Sequence, residues 1–187
     1  EEMTPQTALT ESPPIILDAT CSYGRRWPRF ETIRIDIRPE VHPDFVMDAK
    51  HTNFPDYHFD EIYCDPPHIV RKSPLSGMED IYQRYGWWKS RSEWIDFLRQ
   101  TNIEFFRILK LDGVLHYKIT DGATFKGETG GATHLRELIR EMTNFEITKD
   151  RITESKNHVL KSKSKVHWLI LKPKPCHADI LLELANV

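Results

Sequence analysis

The stretch DEIYCDPPHIV, residues 60–70, is the part of the sequence that decides the fold. A short apolar run ends there in an Asp-Pro-Pro-His motif, and neither proline can donate a hydrogen bond to a neighbouring strand. A residue before proline is also disfavoured in the helical region, so Asp65 is expected in a stiff, extended turn. We therefore predict a buried strand that ends in a rigid turn. The carboxylate, carbonyls and imidazole ring of this turn could hold a planar ligand that donates hydrogen bonds.

Apolar and alternating segments on both sides of this motif predict the other strands of a sheet. These segments are residues 13–20, 32–38, 44–49, 113–120, 145–155 and 165–173, of which the last two are joined by a lysine-rich loop. Apolar residues at helical spacing predict helices over 92–111, with Ser92 as the N-cap, over 133–144 and over 177–187. Strands that alternate with helices and end in a hairpin predict an α/β layered domain.

The length and composition of the chain indicate one domain. Residues 15–173 are expected to form it, with 1–14 as a flexible lead-in and 174–187 as a tail or a short docking helix. The 187 residues suffice for a substantial core, and they contain neither an apolar run long enough to cross a bilayer nor a signal-peptide pattern. Three widely spaced cysteines favour a reducing compartment and no zinc site. We predict a cytoplasmic protein without a metal, or a nuclear or nucleoid one if it acts on DNA.

Four successive predicted strands each end in an aspartate, namely Asp18, Asp36, Asp48 and Asp65. One such aspartate is most often a turn residue, but in open α/β sheets ligands bind beyond the carboxyl ends of the strands. A carboxylate after the second strand can accept hydrogen bonds from both hydroxyls of a ribose. Small residues and Gly24 after the first strand would let the backbone approach a ligand closely. An adenosine-containing cofactor is therefore implied.

With these residues in place, the sequence from about residue 15 to about residue 172 resembles a class I S-adenosylmethionine-dependent methyltransferase. Its Asp-Pro-Pro-His motif matches the one that marks enzymes acting on exocyclic amino groups of nucleobases. The resemblance implies a Rossmann-like α/β fold with a seven-stranded, mostly parallel sheet, an antiparallel terminal hairpin strand and helices on both faces. It also implies S-adenosyl-L-methionine as the cofactor and N6 of adenine, in DNA or RNA, as the preferred target.

The resemblance further assigns a role to each matching position. The loop over 18–24 would hold the methionine part of the cofactor, Asp36 the ribose, and Asp48 with its neighbour the adenine. In the motif, the carboxylate and the first proline carbonyl would accept the N–H groups of the target amine, and the histidine would stack on the base. The implied catalytic residues are Asp65, Pro66, Pro67 and His68, and the implied cofactor contacts are Asp18, Thr20, Cys21, Gly24, Asp36, Ile37, Asp48 and Ala49.

The segment after the motif, residues 71–94, mixes basic and aromatic side chains and is predicted to be a substrate loop. Aromatic side chains can stack on unpaired bases while basic ones contact phosphates, so a single-stranded nucleic acid or a flipped-out base is the expected partner. Trp94 is expected to pack on the protein instead, and the basic runs could simply be solvated faces. The predicted substrate contacts are Arg71, Lys72, Tyr85, Trp87, Trp88, Lys161 and Lys163.

Two other functions remain open at this point. A catalytically silent methyltransferase-like module that binds nucleic acid or a partner protein would account for the loop after the first strand, which has less glycine than the family usually has. An amide or small-molecule methyltransferase would use the same motif on another planar group. A dinucleotide oxidoreductase is disfavoured because no Gly-x-Gly-x-x-Gly follows the first strand. Since no separate target-recognition domain is evident, a homodimer or a partner subunit could contribute to substrate choice.

Overall fold

The computed structural model describes residues 12–22, 32–70, 72–73, 76–77, 79–121, 134–157 and 162–175. The described helices are α1 (Glu79–Tyr85), α2 (Arg91–Ile108) and α3 (His134–Glu141), with a 3₁₀ turn at Pro39–Val41. The described strands are β1 (Ile16–Asp18), β2 (Thr32–Asp36), β3 (Phe45–Val46), β4 (Phe59–Cys64), β5 (Leu109–Asp121), β6 (Phe145–Asn157) and β7 (Ser162–Pro173).

The strands form one seven-stranded sheet in the order β3-β2-β1-β4-β5-β7-β6. The first five strands run parallel, and β7 is antiparallel to both of its neighbours, β5 and β6. This arrangement confirms the predicted Rossmann-like sheet with its antiparallel hairpin. The strand order reverses between β1 and β4, which makes their carboxyl ends the place where an open α/β sheet binds ligands.

Helices α2 and α3 contact each other and β5, and thus cover one face of the sheet. The apolar stripe of α2, including Trp94 and Phe105, joins Leu17, Ile62 and Leu115 of the strands in a buried core. Burial of these side chains supplies the main driving force for packing helix on sheet. Within the described residues, α2 and α3 are the predicted helices on one face of the sheet. The prediction that Trp94 packs on the protein is confirmed.

Several predicted boundaries are wrong. The helix predicted over 92–111 ends at Ile108, because Leu109 is extended and pairs with Phe59 of β4. Its N-cap is Ser90, whose hydroxyl accepts a hydrogen bond from the Glu93 amide at 3.2 Å, and not Ser92. The strand predicted over 44–49 pairs over two residues only.

The segment predicted as a substrate loop, residues 71–94, contains helix α1 and the start of α2. The helix predicted over 177–187 lies outside the described residues. In the part of the chain that is described, no helix is both long and apolar enough to cross a membrane. Nor do three His, Cys, Asp or Glu side chains come together there as a group that could hold a metal ion.

Candidate active site

A cavity of about 880 Å³ opens at the carboxyl edge of the sheet, beside the strand-order reversal between β1 and β4. Volumes of this size are typical of sites for cofactors and small substrates. Most of the predicted site residues that the structure describes line this cavity together. They are Thr20, Cys21, Asp36, Ile37, Asp48, Ala49, Asp65, Pro66, Pro67, His68, Trp87 and Trp88.

The remaining predicted residues fall into three groups. Asp18 is buried and does not line the cavity, and Lys72 is exposed and does not line it either. The side chains of Tyr85 and Lys163 are not described. Three predicted positions lie outside the described residues, namely Gly24, Arg71 and Lys161.

The loop after β1 is held by its own polar groups. The Thr20 amide donates a hydrogen bond to Oδ1 of Asp18 at 3.2 Å, and the Cys21 amide donates to the carbonyl of Ile35 at 3.2 Å. Burial, together with the nearby carboxylates of Asp65 and Asp36, raises the pKa of Asp18 to about 7. Burial, together with the nearby carboxylates of Asp18 and Asp36, raises the pKa of the Cys21 thiol to about 12. At neutral pH the Cys21 thiol in the cavity wall is therefore uncharged, and Asp18 behind it is only partly ionised.

At the end of β2, the carboxylate of Asp36 is saturated by the chain itself. Arg38 donates to both of its oxygens through Nε and Nη2, each at 2.9 Å. The backbone amides of Arg38 and Ser22 add further hydrogen bonds of 3.0 Å, one to each oxygen. A carboxylate oxygen accepts about two hydrogen bonds. A ribose could therefore bind Asp36 only by displacing a donor, most simply the Arg38 side chain.

Asp48 and Ala49, beyond β3, present a different surface. The Asp48 side chain is 44% exposed, and its Oδ1 accepts a hydrogen bond from the Lys50 amide at 2.9 Å. Ala49 is buried next to it in the chain, and Ile37, which also lines the cavity, is 65% exposed. This wall combines an acceptor with small and apolar groups, as a planar amine-bearing ring would require.

Asp65 is buried at the end of β4, where three elements hold it. Its amide donates to Oγ1 of Thr20 at 2.7 Å, and Nζ of Lys118 donates to its Oδ2 at 2.7 Å. Nε2 of His68 lies 2.9 Å from Oδ1. Burial by itself would raise the pKa of Asp65, but the hydrogen bonds and positive charge supplied by His68 and Lys118 outweigh it and hold the pKa well below the usual range. The carboxyl group is therefore ionised.

The two prolines are fixed by the chain that follows them. The indole N–H of Trp88 donates to the Pro67 carbonyl at 2.8 Å, and the Trp88 amide donates to the Ile69 carbonyl at 2.8 Å. The Trp88 ring lies 4.9 Å, centroid to centroid, from the Phe97 ring of α2. Gly86 has a φ of +71°, and a Cβ there would lie 3.1 Å from Cγ of Pro67. The turn is therefore rigid, and Trp88 is part of what makes it so.

Two side chains that hold the predicted site carboxylates, Arg38 at Asp36 and Lys118 at Asp65, were not identified from the sequence. Arg38 follows four other arginines, Arg25, Arg26, Arg29 and Arg34, and does not stand out among them. Its spacing of two residues from Asp36 gives no signal either, because such short-range pairs are common in loops. Lys118 lies at the carboxyl end of β5, and the rule that ligands bind at these ends could have found it.

No protein-family model and no curated protein matches the sequence. Solved structures do match. A SAM-dependent methyltransferase from Methanosarcina mazei is 14% identical with a TM-score of 0.52, over 87% of this chain and 93% of that one. A geranyl diphosphate C-methyltransferase from Streptomyces coelicolor, in complex with Mg²⁺, geranyl diphosphate and S-adenosyl-L-homocysteine, is 11% identical with a TM-score of 0.53, over 87% and 74%.

A [4+2]-cyclase matches at 13% identity with a TM-score of 0.54, over 89% of this chain and 78% of that one. The chain therefore has the fold of the class I methyltransferases. Because a protein described as a cyclase shares that fold, the reaction has to be argued from the site itself.

Proposed function

We propose that this protein is an S-adenosylmethionine-dependent methyltransferase that methylates an exocyclic amino group of a nucleobase, preferably N6 of adenine, in DNA or RNA. The observation that carries the proposal is that the Asp-Pro-Pro-His turn after β4 lines the same cavity as the ends of β1, β2 and β3. A cofactor and a target amine could therefore meet in one cavity. The fold supports this proposal, since solved methyltransferases share it.

The residues that line the cavity fit the cofactor in most respects. The backbone of 19–22 would hold its methionine part, and the side chains of Ile37, Asp48 and Ala49 its adenine ring. The ribose site is the point of poorest fit, because Arg38 occupies the acceptor atoms of Asp36. S-adenosylmethionine, when bound, supplies an electrophilic methyl group that bonds to the amine nitrogen as its carbon–sulfur bond breaks and the electron pair stays on sulfur.

The chain's own part in the reaction is to position the amine. Such an amine is a poor nucleophile because its lone pair is delocalised into the ring. Asp65, which is held ionised, and the carbonyl of Pro66 would accept its two N–H groups and direct the lone pair into the cavity. His68 would lie against the base. The proton that the nitrogen loses passes to water through the open side of the cavity, and most of the rate gain comes from orientation and preorganised electrostatics.

Specific observations favour two other candidates. The Arg38–Asp36 pair favours a catalytically silent module, because Arg38 already occupies the carboxylate oxygens that a cofactor ribose would use. An amide or small-molecule methyltransferase gains support because Trp88, which was expected to stack on bases, packs against α2 and the turn. Both candidates are outcomes of the experiment below.

The first step of the test is calorimetric titration of the protein with S-adenosylmethionine. We expect micromolar binding that Asp36→Ala abolishes. Asp44→Ala is the matched control, because Asp44 forms a similar bidentate pair with Arg34 on an exposed side of β2. Absence of binding to the unaltered protein would favour the silent module.

The second step follows transfer of a labelled methyl group to single-stranded DNA and RNA oligonucleotides that contain or lack adenine. We expect transfer only to those with adenine, and its loss in Asp65→Ala. Asp60→Ala is the control, because Asp60 also pairs with a lysine of β5, at 2.6 Å, but at the amino end of the sheet. Cofactor binding without transfer to any oligonucleotide would contradict the nucleobase substrate and direct the search to small amides.

A further inference from the structure

Behind the Asp-Pro-Pro-His turn lies a lysine whose burial requires an explanation. The Lys118 side chain is 8% exposed, and its Nζ donates to Oδ2 of Asp65 at 2.7 Å. Lys118 does not line the cavity, so a ligand there would meet Asp65 and not the lysine. Lysines are almost never buried to this extent without a paired group, because the charge loses its hydration. Its contribution to the site must therefore pass through Asp65.

The lysine is held from the opposite side as well. Lys118 and Trp168 are directly opposed in the antiparallel pair of β5 and β7, and Nζ lies 5.3 Å from the centroid of the Trp168 ring. At that distance the ring attracts the ammonium group. The indole N–H of Trp168 donates in turn to Oγ1 of Thr153 on β6 at 3.1 Å. A line of contacts thus runs from β6 through Trp168 and Lys118 to the cavity wall.

The two oxygens of Asp65 are held by different elements. Oδ2 is held by Lys118 from β5, whereas Oδ1 contacts His68 of its own turn. Since Asp65 is ionised and can only accept, Nε2 of His68 must be the donor in that contact. Two donors on a planar carboxylate fix both its position and its rotation. A carboxylate oxygen can accept more than one hydrogen bond, so these two contacts do not prevent Asp65 from accepting from a ligand in the cavity.

We propose that Lys118 is a positioning residue for the methyl transfer: it fixes the rotation and charge of the Asp65 carboxylate, which accepts the N–H groups of the target amine. This inference rests on the proposed function and deepens it. A buried ion pair kept only for stability could be replaced by apolar side chains at little cost. The proposal requires instead that the loss of Lys118 changes how Asp65 behaves in a protein that is still folded.

The ionisation of Asp65 provides a direct measurement. The ionisable groups that face it are Lys118 from β5, His68 from the turn and Asp18 from β1, with Cys64 and Tyr117 behind them. Of these, the lysine supplies positive charge from outside the turn. An opposite charge this close lowers a carboxyl pKa by about 1 to 3 units. Removing it should therefore move the titration of Asp65 upward by a similar amount.

The first arm of the test titrates the Asp65 side-chain carboxyl carbon by NMR in ¹³C-labelled protein, without substrate. In Lys118→Met we expect the midpoint to rise by about 1 to 3 pH units. Lys110→Met is the matched control, since Lys110 pairs with Asp60 at 2.6 Å on the same strand, and it should leave the Asp65 midpoint unchanged. An unchanged midpoint in folded Lys118→Met would overturn the proposal.

The second arm measures kcat and cofactor affinity with the adenine oligonucleotide. In Lys118→Met we expect kcat to fall about 10²-fold, as for a misplaced catalytic group, with the Kd for S-adenosylmethionine unchanged. The acid limb of the pH–rate profile should move upward together with the NMR midpoint. Wild-type kcat in this variant would overturn the proposal even if the midpoint moves.

If Lys118→Met does not fold, Lys118→Arg carries the test. Arginine keeps the positive charge but places its N–H donors differently relative to Oδ2 of Asp65. The Asp65 midpoint should therefore stay low while kcat falls at least about tenfold. Wild-type kcat in Lys118→Arg would overturn the positioning role. The NMR arm needs no activity. If the unaltered protein transfers no methyl group, the proposed function is contradicted, and with it the positioning role of Lys118 in that reaction, even if the Asp65 midpoint shifts in Lys118→Met. An unshifted midpoint in an active protein contradicts the inference alone.

Discussion

Arg38 donates hydrogen bonds to both carboxylate oxygens of Asp36, from Nε to Oδ1 and from Nη2 to Oδ2, each at 2.9 Å. The same guanidinium donates through Nη1 to the carbonyls of Gln83 at 3.1 Å and Arg84 at 3.0 Å, at the end of α1. Positive charge is favourable there, because the last carbonyls of a helix carry partial negative charge. One side chain thus joins the expected ribose site to the helix that follows the Asp-Pro-Pro-His turn.

The first prediction concerns this pair. Arg38→Met should strengthen binding of S-adenosylmethionine about tenfold, because about two hydrogen bonds of Asp36, each worth ~1 kcal/mol, become available to the ribose. It should also speed amide hydrogen exchange in α1, whose final carbonyls lose a donor. Calorimetry and exchange mass spectrometry measure the two effects.

Arg34→Met is the control for this prediction. Arg34, on β2, makes a bidentate pair with Asp44, which lies just before β3, with distances of 3.0 and 3.2 Å. Because that pair does not line the cavity, its loss should leave both affinity and exchange in α1 unchanged. If Arg38→Met binds the cofactor no better than the unaltered protein, Asp36 is not the ribose ligand.

The second prediction follows from the raised pKa of Asp18. On folding, this pKa rises from its ordinary value of 3.8 to about 7, chiefly through burial. Between these two values the folded protein binds more protons than the unfolded chain, so the free energy of unfolding falls as the pH rises. Above pH 7 the full cost of a buried charge remains, up to about 4 kcal/mol.

Asp18→Asn should therefore stabilise the protein at pH 8 and change its stability little near pH 4. The amide oxygen can still accept the hydrogen bond from the Thr20 amide. Urea denaturation at several pH values measures the difference. Asp112→Asn, on an exposed position of β5, is the control: its free energy of unfolding should differ from that of the unaltered protein by the same amount at every pH. A constant difference for Asp18→Asn across this range would show that its pKa is not raised.

The third prediction tests the close approach of Gly86 to the turn. Gly86→Ala should lower the free energy of unfolding by about 1–2 kcal/mol, because a side chain at φ +71° is strained and its Cβ would lie 3.1 Å from Pro67. Gly77→Ala isolates the strain, since Gly77 has a φ of +80° and no heavy atom within 4 Å of a Cβ. Equal losses in thermal denaturation would mean that the contact with Pro67 contributes nothing.

The fourth prediction concerns the hydrogen bond from Trp88 to the turn. Trp88→Phe keeps an aromatic ring against α2 but removes the donor to the Pro67 carbonyl, so kcat should fall about tenfold or more as the turn loosens. Trp94→Phe provides the comparison. Its indole N–H is buried without a hydrogen-bond partner among the described residues, so this change should affect stability and not kcat. A loss of kcat in both variants would point to general loosening of the core.

Much of the fold could be predicted from local patterns. The strands that end at Asp18, Asp36 and Asp65 are marked by apolar runs followed by turn residues, and the structure has strands that end at or next to these positions. The boundary at Leu109 could not be predicted, because its strand state comes from pairing with Phe59, fifty residues earlier. Propensity acts within a few residues, whereas such a pairing depends on the whole sheet.

The sequence by itself determined most of the predicted residues that meet in the cavity, because parallel strands bring their carboxyl ends to one edge. Asp36, Asp48 and Asp65 line the cavity there, whereas Asp18 is buried and does not. Only the tertiary structure decided what those aspartates contact. Asp36 is held by Arg38 and Asp65 by Lys118, and the second of these partners comes from a strand 53 residues further along the chain. Whether a carboxylate is available to a ligand depends on the donors within about 3 Å of it, and packing in three dimensions selects them.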